Sequence, residues 1–238
     1  MTAIAHQTAL VTGASRGLGR EFVRQLLERG VDKVYATARD VSTIDATDPR
    51  VVALQLDVTD GESIARAAEV ASDVTVLINN AGIATQGSIL DVDQTELRRE
   101  FETNFFGPLR LTGAFAEQLV AKGGGAVLDV HSALSWISFG GTYETTKAAF
   151  WSATNALRLT LAPRGVQVVG LHVGYVDTDM TAGIEAPKSS PADVVSAALD
   201  GLENGEHEVL ADDVSRQVKA GLSAPIEALY PQLAPAGA

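Results

Sequence analysis

Residues 8–19 read TALVTGASRGLG. A short β-leaning run, 8–12, enters Gly13, and Gly17 and Gly19 follow before an amphipathic stretch over 20–28. Strand, glycine-rich turn and helix in that order make a phosphate cradle, because the first N–H groups of a helix have no partner within it and point at the turn. Gly13 permits the tight turn, Gly17 the close approach of backbone to a pyrophosphate, and Gly19 the packing of helix on strand; Ser15, Arg16 and Leu18 complete the loop. The spacing is G-x-x-x-G-x-G rather than G-x-G-x-x-G. The same residues also spell G-x-S-x-G around Ser15, the pattern of a hydrolase nucleophile elbow. That alternative fails on order: the elbow follows several strands rather than the first, and none of His131, His172 and His207 stands in a motif that would supply the base.

Downstream the rhythm repeats. Apolar β-leaning runs at 34–38, 51–56, 74–78, 126–130, 166–173 and 206–210 alternate with amphipathic stretches at 61–71, 95–102, 107–121, 143–161, 191–202 and 212–220. Such alternation predicts right-handed βαβ units and a parallel sheet, with ligands at the carboxyl ends of the strands. The second strand ends at Arg39-Asp40, where a dinucleotide fold reads the adenosine ribose. Arg39 together with Arg16 suits a 2′-phosphate and favours NADP(H), while Asp40 as the reader would admit NAD(H). Asp57 and Val58, after the third strand, are placed to meet the adenine edge. Asn79-Asn80-Ala81-Gly82 closes the fourth, so Asn80, Ala81 and Gly82 join the cofactor set.

A second stretch, residues 129–147 (DVHSALSWISFGGTYETTK), carries the candidate chemistry. Tyr143 and Lys147 lie four apart, one helical turn and about 6 Å of rise along one face. An ammonium there would favour phenolate and lower the tyrosine pKa, and Ser132 could hold a carbonyl in front of the phenol. An Asn at position 104, between two helical stretches, could cap the second.

Composition limits the partners. The 238 residues carry a formal charge of −12, which argues against nucleic acid and anionic membranes. The absence of cysteine excludes disulfides and thiolate chemistry and is compatible with a cytoplasmic address. No signal-peptide pattern and no membrane-length apolar run is present, and no metal site is expected. Residues 1–232 read as one catalytic domain, and 233–238, Ala-Pro-rich, as a disordered tail.

Together these residues resemble the classical short-chain dehydrogenase/reductase family over about residues 8–178. Thr12, Gly13, Gly17 and Gly19 match its cofactor loop, Asn79 to Gly82 its NNAG stretch, and Asn104, Ser132, Tyr143 and Lys147 its catalytic tetrad. The resemblance implies a doubly wound Rossmann fold of the α/β class, with a seven-stranded, mostly parallel sheet and helices on both faces. It implies reduction of a small-molecule ketone to a secondary alcohol, reversibly. Ser132 and Tyr143 would bind the substrate oxygen, Tyr143 would move the proton, and Lys147 would lower its pKa and bind the nicotinamide ribose. Asn104 would hold a relay water, and Val176 and Thr178 would position the nicotinamide carboxamide and phosphates. It also implies a homodimer or homotetramer pairing the helices at 107–121 and 143–161. Imine reduction, dehydration or epimerisation on the same fold, and a catalytically silent NADP-binding regulator, remain alternatives.

Three departures stand out. Val173-Gly174 replaces the usual Pro-Gly, predicting a looser turn beside the nicotinamide. His131 precedes the serine and Glu144 follows the tyrosine; either they pair across the rim and help bind a polar or cationic substrate, or both face solvent inertly. Trp136, Phe139 and Tyr175 are candidate pocket walls, Trp151 is core or subunit interface, and the short 178–190 segment suggests an open pocket for bulky ketones.

Overall fold

The computed structural model describes residues 2–85 and 87–233. In chain order the strands are β1 (Thr8–Val11), β2 (Lys33–Ala38), β3 (Val51–Gln55), β4 (Val76–Asn79), β5 (Ala126–Val130), β6 (Gln167–His172) and β7 (Glu208–Leu210). The helices are α1 (Gly17–Glu28), α2 (Gly61–Val70), α3 (Gln94–Phe101), α4 (Gly107–Ala121), α5 (Tyr143–Leu161), α6 (Pro191–Glu203), α7 (Asp213–Gly221) and the short α8 (Ile226–Leu229). All seven strands pair in the order β3-β2-β1-β4-β5-β6-β7. Every pairing is parallel, so the expectation of a mostly parallel sheet is met in full. The order reverses between β1 and β4, and the ligand crevice of a doubly wound sheet opens above that point.

Period-two alternation divides the core between the two faces. Ala9 and Val11 of β1 join Phe22, Leu26, Val194 and Leu199 on one side. Leu10 joins Leu77, Leu111 and Phe115 on the other. On that second face the carboxyl ends of β4 and β5 turn polar: Asn79 and Asp129 are register partners, and the Asn79 amide donates to Asp129 Oδ1 at 2.8 Å. Thr154 of α5 donates to Asp129 Oδ2 at 2.6 Å. Burial nevertheless raises the Asp129 pKa.

Between α3 and α4 the chain does not break. Glu102–Phe106 forms a π-helical turn, and the N–H of Gly107 reaches back to the Glu102 carbonyl. Asn104 therefore lies inside a continuous helical run and caps nothing. Of the tail expected from 233 onward, Leu233 ends a short 3₁₀ turn, Pro231–Leu233, and 234–238 lie outside the described residues.

Candidate active site

The glycine loop is held from below by the end of β4. Thr12 Oγ1 accepts the N–H groups of Asn80 and Ala81, both at 2.9 Å, and the Asn80 amide donates to the Thr12 carbonyl at 2.8 Å. Gly13 and Gly17 take φ of +65° and +51°, which L side chains rarely adopt. A Cβ on Gly19 would stand 2.1 Å from the Gly13 carbonyl oxygen, so the third glycine packs against the loop itself. Arg16 occupies the N-cap of α1 in an extended conformation with no side-chain cap, and the first turn holds no acid. The leading N–H groups of α1 thus remain available to an anion, which is the fit a dinucleotide pyrophosphate requires. Thr178 reaches the same place, since a Cβ on Gly17 would meet its Cγ2 at 3.3 Å. Val176, bridged to Ser189, accepts a hydrogen bond from Thr181 Oγ1.

The ribose-reading positions separate cleanly. Arg39 is exposed at the end of β2, and Arg16 is exposed beside Asp179, 3.4 Å away. Asp40 is engaged locally: its Oδ1 accepts from Ser42 N at 3.0 Å and Ser42 Oγ at 2.7 Å. Asp57 likewise closes its own turn through Thr59, its Oδ1 accepting from N at 2.9 Å and Oγ1 at 2.7 Å, while Val58 is buried.

The tetrad converges on the carboxyl ends of β4 and β5. Ser132 opens the turn Ala133–Ser135 and its hydroxyl accepts from Leu134 N at 3.1 Å. Tyr143 starts α5, and Lys147, one turn on, places its Nζ 5.7 Å from the Tyr143 ring centre and donates to the Val130 carbonyl at 2.8 Å. Asn104 is locked on both sides of its amide, donating to the Ile83 carbonyl at 2.8 Å and accepting from Ile83 N at 2.9 Å. It also donates to Thr146 Oγ1 at 3.0 Å, and Thr146 donates to the Tyr143 carbonyl at 2.8 Å. Gly82 leaves room over this group, since a Cβ there would meet Asn104 Oδ1 at 3.3 Å and Lys147 Nζ at 3.8 Å.

The electrostatic balance differs from the sequence expectation. Burial raises the Tyr143 pKa above its usual value; the Glu100 charge adds to this, the Ser132 hydroxyl opposes it, and Glu144 adds further. Lys147 is buried beside the phenol. Its own pKa is depressed to about 8 by burial, against the raising influence of Asp129 and Glu100. Desolvation thus dominates and keeps Tyr143 protonated. Glu100 gave no signal in the sequence because it sits in the highly charged run ELRREFE, yet it is fully buried and accepts from Thr85 N at 2.8 Å.

His131 and Glu144 neither pair nor face solvent; they are 2 % and 7 % exposed. The alternation of β5 turns His131 toward α5, where it packs between Phe150 and His172 at ring-centre distances of 4.7 and 4.9 Å, with neither ring nitrogen hydrogen-bonded among the described residues. Glu144 accepts the N–H of Phe139 at 2.9 Å. Trp136 stacks on His172 at 3.9 Å and meets Trp151 edge-on, under Lys219. Tyr175 is half-buried, and Phe139 is 70 % exposed. The turn at Gly174 is not loose either. Asp212 Oδ2 accepts from Gly174 N at 2.8 Å and Ser189 Oγ at 3.2 Å, its Oδ1 caps α7, and the Val173 carbonyl accepts from Ala133 N at 2.8 Å. A distant aspartate supplies the restraint that a proline would otherwise give.

A family model described as short chain dehydrogenase matches residues 7–189. The chain belongs to that family, whose members are oxidoreductases acting on CH–OH and C=O groups. It is 34% identical over 183 residues to the NADPH-dependent 1-acyldihydroxyacetone phosphate reductase of Schizosaccharomyces pombe, a match covering 73% of this chain and 61% of the relative, so about three fifths of that relative's length is spanned. The 3-oxoacyl-[acyl-carrier-protein] reductase of Escherichia coli is 32% identical over 186 residues, covering 74% of this chain and 76% of the relative. Among solved structures, a short chain dehydrogenase from Burkholderia cenocepacia in complex with NADP superposes with a TM-score of 0.93 at 38% identity, covering 99% of this chain and 100% of that one.

Proposed function

We propose that this protein is an NADPH-dependent oxidoreductase that reduces a small-molecule ketone to a secondary alcohol. One observation carries the reading: Ser132, Tyr143, Lys147 and Asn104 meet beside a glycine cradle, with the phenol kept in its proton-donating form. The nicotinamide, when bound, supplies the hydride. Gly13, Ser15, Gly17, Leu18 and Gly19 would receive the pyrophosphate, with Thr178 beside them, and Asn80, Ala81 and Gly82 would line the cleft. Asp57 and Val58 would lie at the adenine. Arg39 is exposed and Arg16 is held by a solvent-exposed 3.4 Å contact to Asp179 that a 2′-phosphate could replace, while Asp40 Oδ1 is occupied by Ser42, which favours NADP(H) over NAD(H).

The chain's own part is to bind, orient and protonate. Ser132 Oγ and the Tyr143 hydroxyl would hold the substrate oxygen, and Tyr143 delivers its proton to that oxygen as negative charge develops there. Lys147 supplies the adjacent positive charge, and Asn104 fixes the first turn of α5 through Thr146, so the phenol is positioned before substrate arrives. Copies are proposed to associate through α4 and α5; Leu159 of α5 is an exposed apolar residue available for such pairing.

The test follows NADPH and NADH absorbance with aryl ketones, keto esters, steroids and cyclic imines, beside Tyr143→Phe. Ketone-dependent oxidation of NADPH is expected, with the rate lowered at least about 100-fold in Tyr143→Phe while NADPH still binds. Binding of NADPH without turnover of any compound would favour the silent regulator. Turnover of imines alone would move the assignment to imine reduction, and a preference for NADH would overturn the role given to Arg16 and Arg39.

A further inference from the structure

The loop over residues 138–141, just ahead of Tyr143, has an unusual supply of hydrogen bonds. Its N–H groups are satisfied by side chains rather than by backbone. Ser138 N donates to the hydroxyl of Tyr230 at 3.1 Å, Phe139 N and Gly141 N to Glu144 Oε1 at 2.9 and 3.4 Å, and Gly140 N to Ser138 Oγ at 3.0 Å. The part-buried bonds among these restrain the loop, and removing an acceptor would loosen it. Two of the three acceptors lie outside it: Glu144 in the first turn of α5 and Tyr230 just after α8.

The fit of Glu144 is close. A Cβ on Gly141 would fall 2.7 Å from Glu144 Oε2, so the carboxylate fills the space beside that glycine. A buried carboxylate is costly unless hydrogen-bonded, and charge-assisted bonds to N–H groups meet that need. On the other side, the Gly140 carbonyl accepts from Ile89 N at 2.9 Å, and Thr142 Oγ1 lies 3.0 Å from Thr85 Oγ1. On this restrained backbone Phe139 stands 70 % exposed, four positions before Tyr143 in the chain. The backbone that carries the ring is thus ordered before anything binds it, so that part of the ordering cost is not charged to binding.

We propose that Glu144 is a positioning residue: with Tyr230 it clamps residues 138–141 and so seats Phe139 as an apolar lip for the hydrocarbon arm of the ketone. The inference rests on the ketone-reductase reading and assigns Glu144 to the loop rather than to a cationic substrate.

The test compares butan-2-one with 4-phenylbutan-2-one, the same reacting group without and with an apolar arm, in the full-length protein. Phe139→Ala is expected to raise KM for the phenyl ketone about tenfold, leaving kcat and the KM for butan-2-one unchanged. Glu144→Ala and Tyr230→Phe should shift the same KM in the same direction, while Glu144→Gln, which keeps an acceptor, should stay near wild type. Hydrogen exchange at the Ser138, Phe139 and Gly141 amides reads loop order without any substrate and should speed up in Glu144→Ala and Tyr230→Phe but not in Glu144→Gln. Equal KM changes for both ketones, a fall in kcat alone, or Gln behaving like Ala would each overturn the proposal. If the wild type reduces neither ketone, the reductase reading has failed, and unchanged amide exchange in Glu144→Ala would then separately overturn the clamp.

Discussion

At the scale of single residues, Lys147 shows how environment resets a side chain. Its ammonium is buried beside Tyr143 and held at about 8, within reach of ordinary assay conditions. Tyr143, raised by burial, stays a phenol over that range. The free protein therefore carries the Lys147 ammonium below about pH 8 and loses it above. We expect kcat/KM for NADPH, which reports the free enzyme, to fall by about tenfold per pH unit once pH exceeds about 8. A profile flat to pH 10 would show that Lys147 keeps its proton. Glu100 belongs at this scale as well, because it raises both pKa values yet lies in a stretch whose composition suggests a solvated helix face.

At the scale of elements, the turn after β6 depends on α7. Asp212 accepts from Gly174, Ser189 and Ser215 at once, so one carboxylate caps a helix and fixes the turn leading to Val176 and Thr178. Asp212→Ala should cost about 2 kcal/mol in urea unfolding, from the lost cap and the orphaned donors. It should also weaken NADPH binding severalfold by equilibrium titration. Lost stability with intact NADPH affinity would confine Asp212 to the cap. The π-turn at Glu102–Phe106 acts similarly, setting Asn104 to hold Ile83 and Thr146 together where a regular helix end was expected.

At the scale of the whole molecule, β5, β6, α5 and α7 meet in one buried stack: Phe150, His131, His172, Trp136 and, above it, Lys219. Burial depresses both imidazoles, His131 well below its usual value and His172 to about 3. As pH falls below about 6.5 the unfolded chain takes up protons that the folded chain refuses, so stability drops by up to about 1.4 kcal/mol per pH unit for each histidine. Asp129, whose pKa is raised, works in the opposite sense. His131→Leu should therefore flatten the acid side of a stability profile between pH 6 and 5. It should leave the protein at least as stable at pH 7, because two unpartnered ring nitrogens are removed. A steeper acid loss in the variant would mean that His131 is charged in the native state.

The sequence alone determined the parallel βαβ order and the glycine cradle, and it named the candidate tetrad. The first two rest on local periodicity or on a spacing of a few residues, Gly13 to Gly19 and Asn79 to Gly82; of the tetrad, Tyr143 and Lys147 share a helix face, while Asn104 and Ser132 join them through the family resemblance. Element boundaries shifted by a residue or two, as at β4, where Asn79 extends the strand and Val74 precedes it. Tertiary structure alone decided what His131, Glu144, Glu100 and Val173-Gly174 do. Their partners are Phe150 and His172, the folded-back loop at Phe139, Thr85 and Asp212, and several of these contacts cross strands or distant helices. Burial, which sets the protonation of Tyr143 and Lys147, is likewise a property of the packed molecule. Hydrophobic pattern and motif spacing are written along the chain, whereas desolvation and long-range hydrogen bonds exist only once the sheet has brought distant residues together.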